Sequence, residues 1–350
     1  MNNDLKGLII PDLFEHLAAD VQHKLDQKTK PVGSLGMMER LAKRLALIQG
    51  TLEPQLAKPV MLTVASDHHI CEEGVSPCPV EITWQQCLNF MNGGGGIGLF
   101  CQEFGFDHYV VDAGVDYDFP PHARLIEAKV RKGTRNFLHE PAMTMEECLL
   151  AIENGRRIVA GFHQQGSNVV GFGEMGIGNT SPASALLSVF GGLSPEVTVG
   201  PGSGLCREGV NHKMAVIKQA IAKHGVSQDP LINLANFGGL EIATICGGMI
   251  EAALRRMVIL TDGFITTSAV LAAEAICPGV KDYVFFSHQS MEQGHRLMID
   301  LLGGEPILHL DFRLGEGTGA AAAYPILKCS VAILNKMTSF EEAGVFNTAN

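Results

Sequence analysis

Two glutamates in this sequence stand inside glycine-rich turns: Glu174 in GFGEMGIGNTS, residues 171–181, and Glu316 in RLGEGTGAAAA, residues 313–323. A carboxylate with so little side-chain bulk around it suits contact with a substrate, where it can take a proton or accept hydrogen bonds from sugar hydroxyls. One such glutamate in isolation more commonly reads as a solvated loop acid. Two of them in one chain shift the reading towards a shared site. The first turn follows the apolar run NVV and precedes a helix predicted to begin near Pro182, so N–H groups at that helix start favour an anion. Its spacing is not the G-x-x-x-x-G-K-[ST] of a P-loop, and a glycine-rich strand-to-helix turn without a ligand is the plain alternative.

Three further segments carry polar groups in similar positions. VGPGSGLCREGVNHK, residues 199–213, ends on Lys213 at the start of a predicted helix, which offers a point charge to a phosphate or else a solvated surface charge. VFFSHQSMEQGHR supplies Ser287, His288 and Ser290 directly after an apolar run; the hydroxyls donate to phosphate or simply cap a helix. SDHHICEEGVSPCP clusters Asp67, His68, His69 and Glu73, yet adjacent histidines cannot both face one site from a regular strand and no H-E-x-x-H spacing follows. A structural role is favoured there over metal ligation. Asp262 in ILTDGF reads either as a site acid or as an acid that hydrogen-bonds the following loop.

Elements must bring these segments together. LFEHLAADVQHKLDQ and MMERLAKRLALIQG repeat apolar residues at three-to-four spacing, which predicts a helical start to the chain. From Lys58 onward short apolar runs (PVMLTVAS, HYVVDAGV, NVVGFGEM, RMVILTDGF, YVFFS and PILHLDFRL) alternate with amphipathic or Ala-rich stretches. That alternation predicts an α/β fold: a mostly parallel sheet with helices on both faces, whose strand ends at the carboxyl edge carry the polar segments. GAAAAYPILKCSVAILNKMTSF reads as a final helix that packs with the first ones. The expected organisation is an N-terminal helical segment over residues 1–57, a large α/β domain over 58–322, and a C-terminal helical segment over 323–350, the two end segments forming one small domain.

The chain has 350 residues, 46% of them hydrophobic, and a formal net charge of -11. Such a balance disfavours a nucleic-acid partner, which needs sustained attraction to a phosphate backbone, but leaves room for a locally bound anion. The N-terminal stretch lacks a basic segment followed by a continuous apolar one, and no apolar run is long enough to span a bilayer, so the expectation is a cytoplasmic protein with no membrane partner. Nine cysteines without a C-x-x-C pair suggest neither a disulfide framework nor a zinc ribbon.

In their order, KPVGSLG near residue 30, SDHHICEEGVSPCP, VVDAGV, GTRNF, EPAMT, GFGEMGIGNTSPASA, GGLEIA, ILTDGFI, SHQS-x-x-x-G and RLGEGTGAA make a series. The series resembles the nicotinate-nucleotide:dimethylbenzimidazole phosphoribosyltransferases, enzymes that build the lower-ligand nucleotide of cobamides, and it covers nearly the whole chain. The resemblance implies a homodimer whose active site lies at the carboxyl edge of the sheet, with nicotinate mononucleotide and dimethylbenzimidazole as substrates and neither metal nor cofactor. By position, Glu316 matches the family's general base and Glu174 a second active-site acid. Lys213, Ser290 and the backbone around Gly176 match the phosphate site, Cys78 and Gln86 the base pocket, and Gly178, Asn179, Thr180, Asp262, Leu314 and Gly315 complete the implied substrate contacts. Two departures bear on the accepted base: the family usually has Asp-His-Gly at Asp67-His68-His69, and a Ser or Tyr at Cys78. Three other readings stand beside this one: the same scaffold acting on another acceptor such as adenine or a phenolic base, a non-catalytic nucleotide-binding protein on the same sheet and, far below these, a dehydrogenase, for which no G-x-G-x-x-G follows the first predicted strand.

Overall fold

The structure, a computed structural model, describes residues 5–347; the parts of the two end segments at 1–4 and 348–350 lie outside the described residues. In chain order the principal elements are α1 (Ala18–Asp26), α2 (Met37–Gln49), β1 (Val60–Ser66), α3 (Ile82–Met91), α4 (Gly95–Phe104), β2 (Asp107–Gly114), β3 (Leu125–Glu127), α5 (Met145–Gln164) and β4 (Val169–Met175). There follow α6 (Thr180–Gly191), α7 (Pro195–Thr198), α8 (Arg207–His224), α9 (Pro230–Phe237), α10 (Leu240–Leu254), β5 (Val258–Thr261), α11 (Phe264–Ile276), β6 (Val284–Phe286), α12 (Gln293–Leu302), α13 (Thr318–Lys336) and α14 (Phe340–Ala343).

The six strands form one parallel sheet in the order β3-β2-β1-β4-β5-β6. All seven residues of β1 are buried, as a central strand covered on both faces requires. Alternation along β4 assigns the two faces. Phe172 meets Gly248 of α10, while Gly171 and Gly173 on the opposite side meet Ala320 of α13 and the turn before it. Helices therefore cover both faces. The strand order reverses between β1 and β4, and the crevice outside their carboxyl ends is where a sheet of this kind gathers ligands.

One expected strand is absent. PILHLDFRL, residues 306–314, runs beside the exit of β6 and makes only the isolated bridge between Leu308 and His288. Leu310 is exposed, and Asp311 takes a left-handed φ of 55°, which ends any pleat. Conversely, α4 forms from GGIGLFCQEF, which carries little helical signal beyond Ile97 and Cys101 buried on one side.

A second, separate apolar cluster joins Val21 and Leu25 of α1, Ala42 and Ala46 of α2, and Ile333 and Leu334 of α13. The chain ends are also tied by a bridge between Lys28 and Ser339 and by Thr29 N–H donating to the carbonyl of Thr338 at 3.0 Å. Helix α13 reaches from the main core to this cluster, so residue 323 lies within a helix rather than at its end.

Candidate active site

A cleft at the carboxyl ends of β1, β4, β5 and β6 is lined by Glu174, Gly176, Gly178, Asn179 and Thr180 after β4, by His288, Ser290 and Glu292 after β6, and by Leu314, Gly315 and Glu316 before α13. Gln86 of α3 closes one side and Gly202 and Ser203 another. The two glycine-rich turns singled out by sequence thus face one space, although much of the chain runs between them.

Glu316 sits between Gly315 (φ 87°) and Gly317 (φ 103°) and itself takes φ 68°, a conformation that costs a non-glycine residue roughly 1–2 kcal/mol. The space for the turn exists because residue 173 has no side chain: a Cβ there would lie 2.1 Å from the Glu316 carbonyl oxygen. Glu316 is 7% exposed. Burial, reinforced by the charge of Asp262 and opposed by the Ile97 backbone N–H, pushes its carboxyl up to about 7.

Glu174, at the end of β4, is held by the Asn179 amide, which donates to its carboxyl oxygen. Burial pushes it up to about 8, with Asp262, Glu241 and Glu316 adding to the rise and the Asn179 hydrogen bond opposing it. At neutral pH, then, Glu174 is chiefly the neutral acid while Glu316 is divided between acid and carboxylate. Two neighbouring carboxyls with separated affinities for a proton can play different roles in one reaction.

Lys213, on α8, is 1% exposed and does not itself line the cleft. Its Nζ donates to Thr180 Oγ1 at 2.6 Å, and it lies 3.4 Å from where a Cβ on Gly202 would sit, just behind the cleft wall. Burial lowers its ammonium to about 8, Glu292 working in the other direction. Ser290 lines the same corner, and its backbone N–H donates to His295 Nδ1 at 2.9 Å. A buried cation, two hydroxyls and glycine N–H groups together make a corner fit for a phosphate.

The remaining predicted residues divide. Gln86, Leu314 and Gly315 line the cleft, whereas Cys78 is half-buried outside its lining. Asp262 is 1% exposed and turned away from the cleft: its carboxylate accepts from the backbone N–H groups of Gly317 at 2.8 Å and Gly319 at 2.7 Å. The geometry bears out the loop-acid reading of Asp262.

The histidine-rich segment also scatters. His68 pairs with Glu241 at 3.0 Å, Asp67 accepts from the Asp116 N–H at 2.8 Å, and Glu73 accepts from Asn136 at 2.7 Å. Among the described residues no three His, Cys, Asp or Glu side chains converge as a metal site. Glu292 and Arg313 line the cleft and were not predicted, although both stand beside residues that were: Glu292 two positions after Ser290, Arg313 three before Glu316. Among the described residues no helix is long and apolar enough to cross a membrane.

Comparison with known proteins bears on this arrangement. A family described as phosphoribosyltransferase matches residues 10–345. The nicotinate-nucleotide–dimethylbenzimidazole phosphoribosyltransferase of Phocaeicola vulgatus is 48% identical over 322 residues, covering 92% of this chain and 93% of that protein. The enzyme of the same name from Dechloromonas aromatica is 48% identical over 339 residues, 96% of this chain and 97% of that one. The crystal structure of CobT from Thermus thermophilus superposes with a TM-score of 0.92 at 39% identity, covering 95% of this chain and 99% of that one. On this extent of likeness, in sequence and in fold, the chain belongs to the nicotinate-nucleotide–dimethylbenzimidazole phosphoribosyltransferase family.

Proposed function

We propose that this enzyme transfers the 5-phosphoribosyl group of nicotinate mononucleotide to dimethylbenzimidazole with inversion, giving α-ribazole 5′-phosphate and nicotinate, the nucleotide-loop step of cobalamin biosynthesis. The observation that carries this reading is the placement of Glu316: a buried carboxyl set in a left-handed turn on a cleft that Thr180 and Ser290 also line, with Lys213 bonded to Thr180 behind the wall.

The donor's nicotinate is a pyridinium and already a good leaving group. The acceptor must lose its ring N–H proton as its other nitrogen attacks the anomeric carbon, and Glu316, as the carboxylate, takes that proton. The ribose 5-phosphate sits against Ser290, Thr180, Gly178 and the N–H groups around Gly176, with Lys213 behind them. Glu174 and Asn179 face the ribose, where the neutral Glu174 donates to a hydroxyl or balances developing positive charge. Gln86, Leu314 and Gly315 bound the space for the flat acceptor. Much of the rate comes from holding both reactants in line in one cleft.

The same reading includes a homodimer in the cytoplasm. It also assigns the cluster joining α1, α2 and the distal part of α13 to a small helical domain built from residues 1–57 and 323–350, with residues 58–322 as the large one.

Glu316→Gln tests the central assignment. Turnover should fall by a factor of about 10² to 10⁴ with the far-ultraviolet spectrum unchanged. In the unaltered enzyme, kcat should rise with pH through about 7, where Glu316 becomes the carboxylate. Nicotinate and α-ribazole phosphate appearing in equal amounts, measured by chromatography, would establish the reaction. Binding of nicotinate mononucleotide with no release of nicotinate, whichever base is offered, would instead favour a binding protein.

A further inference from the structure

The turn that carries Glu316 is held from three strands, by residues within β1 and β4 and by the residue that follows β5. Gly317 and Gly319 give their N–H groups to the two oxygens of Asp262, which follows β5, at 2.8 and 2.7 Å. Thr63 of β1 donates its hydroxyl to the Glu316 carbonyl oxygen at 2.9 Å. Since that hydroxyl has one proton, the 2.9 Å contact between Thr63 Oγ1 and His108 Nε2 requires the histidine to be the donor. Such a role fits His108, kept neutral by burial, which lowers it to about 4. Gly173 of β4 supplies the room. Thr63 is wholly buried and Asp262 1% exposed, so neither meets the substrate.

We infer that Asp262 and Thr63 are positioning residues that clamp the Glu316 turn in its left-handed conformation and so aim the carboxylate into the cleft. The inference rests on the reading of Glu316 as the base. A left-handed glutamate would relax towards ordinary backbone if nothing held it, and the clamp holds both edges of the peptide group that follows it, at the Glu316 carbonyl and at the Gly317 N–H, and then the Gly319 N–H. The first turn of a helix leaves its N–H groups unpaired, and Asp262 satisfies two of them at the start of the 19-residue α13, where a negative charge is also favoured by the helix dipole. One carboxylate thereby fixes the turn and stands as a like charge beside it.

Other ionisable groups around Glu316 are few. Glu174 faces it from β4, His288 lies 3.3 Å from Asp262 after β6, His108 stands behind Thr63 on β2, and Arg313 is on the turn's own approach. Helix α4 presents the Ile97 N–H and no charge from Gly95 to Gly98. Removing the Asp262 charge should therefore move Glu316 in one direction, downwards.

Asp262→Asn is the first variant. An asparagine side chain can accept from one of the two N–H groups but presents its own N–H₂ to the other. Expected are a fall in kcat of about 100-fold, affinity for nicotinate mononucleotide within about threefold of the unaltered enzyme by calorimetry, and an acidic limb of the kcat profile moved down by about one pH unit. The limb reports the charge of Asp262 beside Glu316, whereas a fall in kcat at unchanged affinity reports the aim of the carboxylate. Thr63→Val is the second variant, usable if the first does not fold. It removes one hydroxyl and no charge, so kcat should fall about tenfold with the limb in place.

Crystal structures of the variants give a readout independent of catalysis: the clamp predicts that Glu316 leaves its left-handed φ. Wild-type turnover in Asp262→Asn, or Glu316 still left-handed in the variant that folds, would overturn the inference. Full activity in Glu316→Gln would overturn the base assignment instead, and the variant structures would still decide whether the clamp exists.

Discussion

Glu174 and Glu316 illustrate how burial sets a carboxyl's chemistry. Both are 7% exposed, and desolvation is the largest cause of each shift. For Glu174 the consequence extends to stability. Its ordinary value is 4.5 and its folded value about 8, so between these the folded state binds more protons than the unfolded one, and stability falls as pH rises. Replacing the acid by its neutral isostere removes that penalty. Glu174→Gln should denature at the same urea concentration as the unaltered enzyme near pH 4.5, and be more stable by on the order of a few kcal/mol at pH 8.5. Parallel urea curves at both pH values would sink this account of Glu174 burial. The glutamates themselves were legible in the sequence because glycines flank them. Their proton affinities were not, since Asp262, Glu241 and the surrounding apolar wall come from distant segments.

Helices α5 and α10 cross with almost no space between their backbones. A Cβ on Gly155 would lie 1.8 Å from the Thr244 carbonyl oxygen, and one on Gly247 would lie 1.9 Å from that of Ile152. In an exposed helix, Gly→Ala gains about 1 kcal/mol. Here the methyl would push against main chain, which forces the helices apart and costs about 1–3 kcal/mol or more, so overpacking wins. Gly247→Ala should therefore lower the denaturation midpoint; a raised one would show that the crossing adapts freely. The two helices could be read from LEIATICGGMIEAALRR and TMEECLLAIENGRRIVAG, but their crossing point could not. The segment 306–314 erred in the other direction: its apolar content resembles a strand, yet its pairing beside β6 is broken by the left-handed Asp311 and no ladder forms.

At the scale of the molecule, two apolar clusters share α13. Leu25 is wholly buried in the smaller one, which contributes no residue to the lining of the cleft. Leu25→Ala should cost about 2–5 kcal/mol in global stability while leaving kcat and the KM for nicotinate mononucleotide of the folded enzyme unchanged. A loss of turnover in proportion to the loss of stability would mean that the helical end segments help to shape the cleft. The proposed small domain would gain support from an unfolding transition that splits in this variant and stays single in Gly247→Ala.

The sequence by itself determined the alternation of strands and helices, the glycine-flanked glutamates, and the ordered motifs that mark the family, because these depend on local periodicity and residue type. It also placed Ser290 after a strand, but it began the next helix at Lys213, which lies inside α8. Tertiary structure alone decided that Asp262 serves the Glu316 turn, that the histidine cluster disperses to separate partners, and that Glu292 and Arg313 line the cleft. Each of these depends on which strand ends become neighbours. In a parallel sheet that is fixed by long crossovers, and no local pattern records it.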